Sequence, residues 1–374
     1  MLRGGPARLL PPAGRRARAG SCSPRSALAS CAQLLRTPSE THADRFVLRA
    51  EQDPEVVRAA HLLQHSTPRA GSACEDHRVT SSPFTARGWV LLAIMSVLWG
   101  LPYLFISAAV ETFSPPAVVA IRTGGAALLL LPFALRRGAL LPALRRWPWV
   151  LALAAVEMAG PFVLLAHAEQ TISSGLTGLL VATVPLFAAI IAVLRGQREA
   201  LRPLRAAGLL LGFAGVAIVA LGGGGAAHAE LLAIGEVLLV AILYATGPFI
   251  VAHKLDGVPP LGSITLALAV VGLAYAPFAL LTPQRPPTAA SGASIVLLTV
   301  LCTAAAFIVF FALIAEVGPA RATLFTYVNP LVAIGLGALV LAEPLTPSLL
   351  LGVPVVLLGC VLAAGGLPLR GGAR

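Results

Sequence analysis

Three ionisable side chains, Arg122, Glu157 and Glu236, sit inside apolar runs of about 20 residues, the length that spans a bilayer as a helix. A charge in such a place is costly, and it marks a solute pathway, a proton relay or a counter-ion. Arg122 lies seven residues into its run, roughly 10 Å deep at about 1.5 Å per residue. Glu236 is at a similar depth and Glu157 is near the middle of its run. One of the glutamates is expected to pair with Arg122 at rest, and the pair to open when a solute or a proton arrives. A static pair that only fixes helix packing is the plainer alternative.

Trp99, Tyr103, Tyr244, Tyr327 and Asn329 add polar tips within apolar runs. They are candidates for the lining of a cavity that takes an amphipathic solute; helix packing with one satisfied hydrogen bond is the competing account. Pro102, Pro161, Pro185, Pro248 and Pro330 also fall inside runs. Each removes a backbone donor, so Pro102, Pro185, Pro248 and Pro330 are hinge candidates, though such prolines are also common in inert membrane helices.

Enzyme chemistry finds little support. There is no HExxH and no GxSxG, and His167 and His253 fall at run ends. The five cysteines form no CxxC and no metal spacing; Cys302 and Cys360 read as small buried apolar residues. Neither a cofactor nor a metal is expected. Gly222–Gly225 lacks the Lys-Ser/Thr that a phosphate loop needs.

The elements that carry these residues follow from composition. Hydrophobic types make up 57% of the 374 residues and charged types 11%, and the mean hydropathy is +0.86. Soluble domains carry roughly 25% charged residues. From Trp89 to Leu369 the chain reads as ten apolar blocks: 89–110, 115–135, 148–168, 174–194, 204–221, 231–251, 261–281, 292–314, 320–341 and 348–366. With the N-terminus in the cytoplasm, the inner breaks hold Arg136, Arg137, Arg145, Arg146, Arg195, Arg198, Arg202, Arg205, Lys254, Arg321, Arg370 and Arg374, and the outer breaks only Arg285. Both termini are therefore expected inside. The net charge of +11 is explained by this asymmetry, and nucleic acid is not needed as a partner.

Residues 1–88 are rich in Arg, Ser, Pro and Ala and have no block long enough to span. Their acid-poor start resembles an organelle transit peptide, without the apolar core of a secretory signal. A disordered basic cytoplasmic extension and a start codon placed too far upstream are the two readings preferred. Residues 367–374 read as a cytoplasmic tail.

The two halves repeat. At an offset of 144, Glu199, Leu201, Pro203, Gly208 and Gly215 match Glu343, Leu345, Pro347, Gly352 and Gly359, and Pro115-Pro116 matches Pro259-Pro260. At 145, Pro132-Phe133-Ala134-Leu135 matches Pro277-Phe278-Ala279-Leu280, Pro185 matches Pro330, and Trp99 matches Tyr244. The expected architecture is an all-α integral membrane protein of ten transmembrane helices in two five-helix repeats, 89–222 and 230–366. Because five is odd, the second repeat enters from the other side, a construction shared by many secondary transporters. Gly208-x-x-x-Gly212 offers a close-packing face, either within the bundle or between the copies of a homodimer.

The motifs along 89–366 resemble the drug/metabolite transporter (DMT) superfamily, EamA family. They are Leu98-Trp-Gly-Leu-Pro-Tyr103, Pro115-Pro-Ala-Val-Val-Ala-Ile-Arg122, the Ser174–Phe187 segment, Tyr327-Val-Asn-Pro-Leu331 and Leu341-Ala-Glu-Pro-Leu-Thr346. The first half departs from the pattern: Glu199 comes one residue late and Arg202 stands where Thr is usual. The resemblance implies a helical bundle in the lipid bilayer with a central cavity, no cofactor, and transport of a small metabolite such as an amino acid or a drug-like solute, often outward. Proton coupling is left open. A channel or structural membrane protein is the main alternative function, and a membrane-embedded enzyme a weaker one.

Overall fold

A computed structural model describes residues 84–196, 202–222 and 228–365. The 1–83 part of the N-terminal extension, the 367–374 tail, Glu199 and most of the glycine linker lie outside the described residues.

Ten apolar helices run along the described chain: α1 (Ala86–Ala109), α2 (Pro115–Arg136), α3 (Trp147–Ala168), α4 (Ser174–Leu194), α5 (Pro203–Leu221), α6 (His228–Lys254), α7 (Pro260–Leu281), α8 (Ala289–Val317), α9 (Phe325–Val340) and α10 (Pro347–Ala363). The first eight are long and apolar enough to cross a membrane, and α9 and α10 are shorter. Their starts are coded locally. The side chains of Thr85, Ser173, Thr288 and Thr346 accept bonds from backbone amides of the first turn. Prolines at the first positions of α2, α5, α7 and α10 lose no intrahelical bond there. Large apolar side chains point outward, Leu280 at 87% and Leu339 at 86% exposure, which is what a lipid-facing surface requires.

The packing pattern repeats with the sequence. Helix α2 packs on α7, α5 on α10 and α4 on α9; α1 packs on α8 and α9 as α6 packs on α3 and α4. Each contact maps onto itself or onto another under a shift of five helices. Glycines allow the closest approaches. Gly272 lies against the Gly124 backbone between α7 and α2, and a Cβ on Gly359 of α10 would collide with Gly212 of α5. The Gly208-x-x-x-Gly212 face is thus turned to α10 of the same chain.

Loops that touch sort into two faces. One joins 110–114, 169–173, 282–288 and 341–346, through the Thr112–Ser291, Ser114–Gln284 and Glu343–Ser174 hydrogen bonds. We call it the vestibule face. The other, basic face has Arg195 over the Phe249 ring, Lys254 over Trp149, and Ala139 beside Gly262.

The sequence-based span at 320–341 differs from the structure. A short helix, Pro319–Ala322, is followed by a turn, and α9 proper begins at Phe325. The left-handed Gly318 (φ 82°) stops α8 and forces this re-entry.

Three helices are broken. In α3 a π-helical turn spans Ala155–Ala159, and in α8 another spans Val300–Ala305. Helix α4 is interrupted between Val181 and Val184. Pro161 explains the first break, since it has no N–H to give the Glu157 carbonyl. Pro185 likewise leaves the Val181 carbonyl without its usual donor. The neighbouring Ala182 carbonyl takes a bond from Cys360 Sγ at 3.2 Å, so this cysteine bridges α10 to the break.

Candidate functional site

The breaks and the buried charges coincide. Arg122 on α2 is 6% exposed, and its Nε donates to Thr303 Oγ1 at 2.9 Å. Thr303 stands in the π turn of α8, and its own hydroxyl donates to the Leu298 carbonyl at 2.8 Å, five residues back. The guanidinium lies 3.8 Å from the centre of the Phe162 ring on α3. Tyr103, Tyr244, Cys302 and Glu169 are within electrostatic range of it.

Glu157 occupies the corresponding π turn, in α3. The two turns begin at residues 155 and 300, an offset of 145, the same as that of the sequence repeat. The Glu157 carboxyl rests where a Cβ on Gly247 of α6 would stand. Tyr244, one turn away on α6, shares its field. Tyr275 Oη donates to the Ala159 carbonyl at 3.0 Å, satisfying an acceptor at the end of the widened turn. π turns of this kind recur at functional sites.

The expected ion pair is not formed. Among the described residues Arg122 bonds to a threonine and not to a glutamate. Glu236 instead meets His167 Nδ1 at 2.9 Å, bracing α6 against the end of α3. The reason is depth: Glu236 meets α3 at its vestibule end, at His167, whereas Arg122 meets it at Phe162, more than one turn further in, and turns its Nε to α8.

The carboxylate missed from sequence is Glu169. It follows the last residue of α3 and is 5% exposed, and neither oxygen completes a hydrogen bond among the described residues. The backbone of Ser107 on α1 faces it. It lines a cavity of about 530 Å³ on the vestibule face, with Ser107, Glu111, Thr112, Gln170 and Arg285 in the walls. Burial pushes its carboxyl well above the ordinary range; the nearby Glu343 adds to this and Arg122 opposes it. A residue next to a helix end reads as solvated, so sequence gave no cue beyond the letter itself.

Glu343, from the family-like Glu-Pro-Leu-Thr segment, has a different task. Its two oxygens accept from the Ser174 and Gly175 amides at 2.8 and 3.1 Å, capping α4 across the interface between repeats. A larger cavity, about 740 Å³ between α2 and α7, has only Thr265 and Gln284 as polar side chains in its walls and holds none of the charged candidates.

The remaining sequence candidates divide. Tyr103 and Tyr244 join the polar centre. Trp99 is enclosed by Phe307, Phe310 and Phe325, with ring centroids 4.9–5.9 Å apart, a packing cluster on α8 and α9. Tyr327 packs at the edge of the same cluster. Asn329, with its amide nitrogen toward α1, donates to the Ser96 carbonyl at 3.0 Å and the Phe325 carbonyl at 2.9 Å. It ties two helices together. Pro102, Pro248 and Pro330 lie inside continuous helices; Pro185 lies at the break in α4. Among the described residues no three His, Cys, Asp or Glu side chains gather as for a metal ion.

The model of the EamA-like transporter family matches the chain twice, over residues 86–221 and 231–365. The chain belongs to the EamA-like transporter family. This EamA protein is 29% identical over 281 residues to the uncharacterized inner membrane transporter YedA of Escherichia coli K12, covering 74% of the chain and 90% of the relative. It is 27% identical to the uncharacterized transporter YvbV of Bacillus subtilis, covering 71% and 88%. A solved crystal structure whose name states no function superposes with a TM-score of 0.54 at 19% identity, covering 74% of the chain and 96% of its own, which supports the fold. The EamA protein is a multi-pass membrane transporter of the drug/metabolite superfamily, built from two repeats.

Proposed function

We propose that this EamA protein is a secondary transporter that moves a small metabolite, an amino acid or a related amphipathic compound, across the membrane by alternating access. The observation that carries the reading is the placement of Arg122 and Glu157 at two π turns related by the repeat. Widened turns are compliant, so each repeat has a flexible point where its polar group meets the solute. Arg122 is held by a neutral hydroxyl and not by a counter-charge. Its guanidinium can pair with a solute carboxylate, since among the described residues no glutamate is hydrogen-bonded to it. Tyr103 and Tyr244 supply amphipathic walls.

The vestibule face is read as the outer one. The basic face carries Arg136, Arg137, Arg145, Arg146, Arg195, Lys254 and Arg321, whereas Arg285 is the arginine of the vestibule loops. That asymmetry supports cytoplasmic termini.

The test is reconstitution of the full chain in liposomes with a pooled mixture of amino acids and small metabolites, read by mass spectrometry. Saturable movement of one compound class, lost in Arg122→Ala, supports the reading. Folded protein that moves nothing selectively, or that passes unselective current, sinks it.

A further inference from the structure

We infer that Glu169 is the proton-binding carboxylate of the transporter, loaded through the vestibule cavity and unloaded on the side where the solute leaves. The inference deepens the transport reading and rests on it.

A carboxylate buried in protein without a donor is costly in its charged form. Native structures accept that cost where the group has work to do, or they neutralise it. Glu169 is buried, neither of its oxygens completes a hydrogen bond among the described residues, and it nonetheless lines the vestibule cavity. The other carboxylates of the region differ. Glu343 is held by two backbone amides, Glu236 by His167, and Glu111 lies out on the loop. Glu157 is deeper, in the π turn, and does not line this cavity.

The groups facing Glu169 come from every neighbouring element. Tyr103 and Ser107 face it from α1, Arg122 from α2, Glu343 from the loop after α9, and Glu111 and Arg285 share the cavity. Burial and Glu343 favour the protonated acid, and Arg122 and, to a smaller extent, the Ser107 backbone favour the anion. The balance therefore depends on how close Arg122 stays. When a solute carboxylate takes the guanidinium, its support for the Glu169 anion is lost and a proton from vestibule water binds. When the solute leaves, Arg122 acts on Glu169 again and the proton is released as hydronium. One O–H bond forms and later breaks, with no other reactant. Solute and proton occupancy are thereby linked through one arginine.

The first experiment needs no known solute. Infrared titration of the purified full chain in lipid, between about pH 5 and about pH 9, follows carbonyl stretches of protonated carboxyls above their ordinary range. The expected result is a band that titrates in that window, disappears in Glu169→Gln and persists in Glu343→Gln. A Glu169→Gln titration identical to the unsubstituted protein overturns the assignment. Glutamine copies the neutral acid in shape; Glu169→Asp, which keeps a titrating band at a displaced midpoint, guards against misfolding as the cause.

The second experiment uses the pooled amino-acid mixture in liposomes with and without a pH gradient. The expected result is that the gradient accelerates transport several-fold in the unsubstituted protein and not at all in Glu169→Gln. A Glu169→Gln protein that still responds to the gradient overturns the coupling role. If the unsubstituted protein moves nothing from the pool, the transport reading fails and the coupling role fails with it. The infrared result then still decides whether Glu169 binds the proton.

Discussion

At the scale of single residues, the polar centre is a set of unequal bonds. Among the described residues Arg122 has one side-chain acceptor, Thr303, and an aromatic face, Phe162. Thr303→Val removes the acceptor at nearly constant volume and leaves a buried donor unmet, a loss of about 1–3 kcal/mol. Thermal unfolding in detergent should show a lower midpoint for Thr303→Val and a near-normal one for Thr303→Ser; equal midpoints would mean that the bond contributes nothing. Gly247 is a second point of control. A methyl group there occupies the place of the Glu157 carboxyl, so Gly247→Ala and Glu157→Gln should both slow transport in the liposome assay. Full transport in Gly247→Ala would remove Glu157 from the pathway. These positions also show the limit of sequence. That Arg122 and Glu157 were buried charges was readable, because an apolar run around a charge is a local signal. Their partners were not, because Thr303 and Gly247 are brought in from helices 181 and 90 residues away. Glu169 was missed for the same reason. The loops 110–115 and 283–285 that enclose it are distant in sequence, and a helix end predicts exposure.

At the scale of the helix, span positions were legible from hydropathy, while the breaks were only half legible. Pro161 announces a lost hydrogen bond, but not whether the helix kinks, ends or widens. Here it widens, and Tyr275 from α7 covers the Ala159 carbonyl. The π turn in α8 contains no proline, so nothing in its local sequence announced it; the repeat offset of 145 applied to Ala155 does. If the widened turns are the compliant points of the transporter, restoring a donor should stiffen one of them. Pro161→Ala supplies an N–H for the Glu157 carbonyl and favours regular α geometry. The expected outcome is a protein of equal or higher thermal midpoint that transports several-fold more slowly. Faster or unchanged transport with raised stability would show that the turn in α3 is not where motion occurs.

At the scale of the whole molecule, the repeat places matching braces on opposite faces. On the basic face, Thr85 Oγ1 donates to Glu316 at 2.8 Å and Arg87 stands 3.6 Å from the same carboxylate, joining the start of α1 to the end of α8. On the vestibule face, His167 and Glu236 join the end of α3 to the start of α6. A shift of five helices turns one brace into the other. In alternating access the brace on the closed face holds and the brace on the open face gives, so loosening either should bias the equilibrium in opposite directions. Each is a partly exposed pair worth about 0.2–1 kcal/mol, which limits the shift in populations to about fivefold. A cysteine at Thr112, in the wall of the vestibule cavity, reports the outcome through its rate of labelling by a membrane-impermeant maleimide. Glu236→Gln should raise that rate and Glu316→Gln should lower it. Changes in the same direction would mean that the braces stabilise the fold without favouring either state, and the two halves would then have to be coupled elsewhere, through the close-packed α2–α7 and α5–α10 pairs.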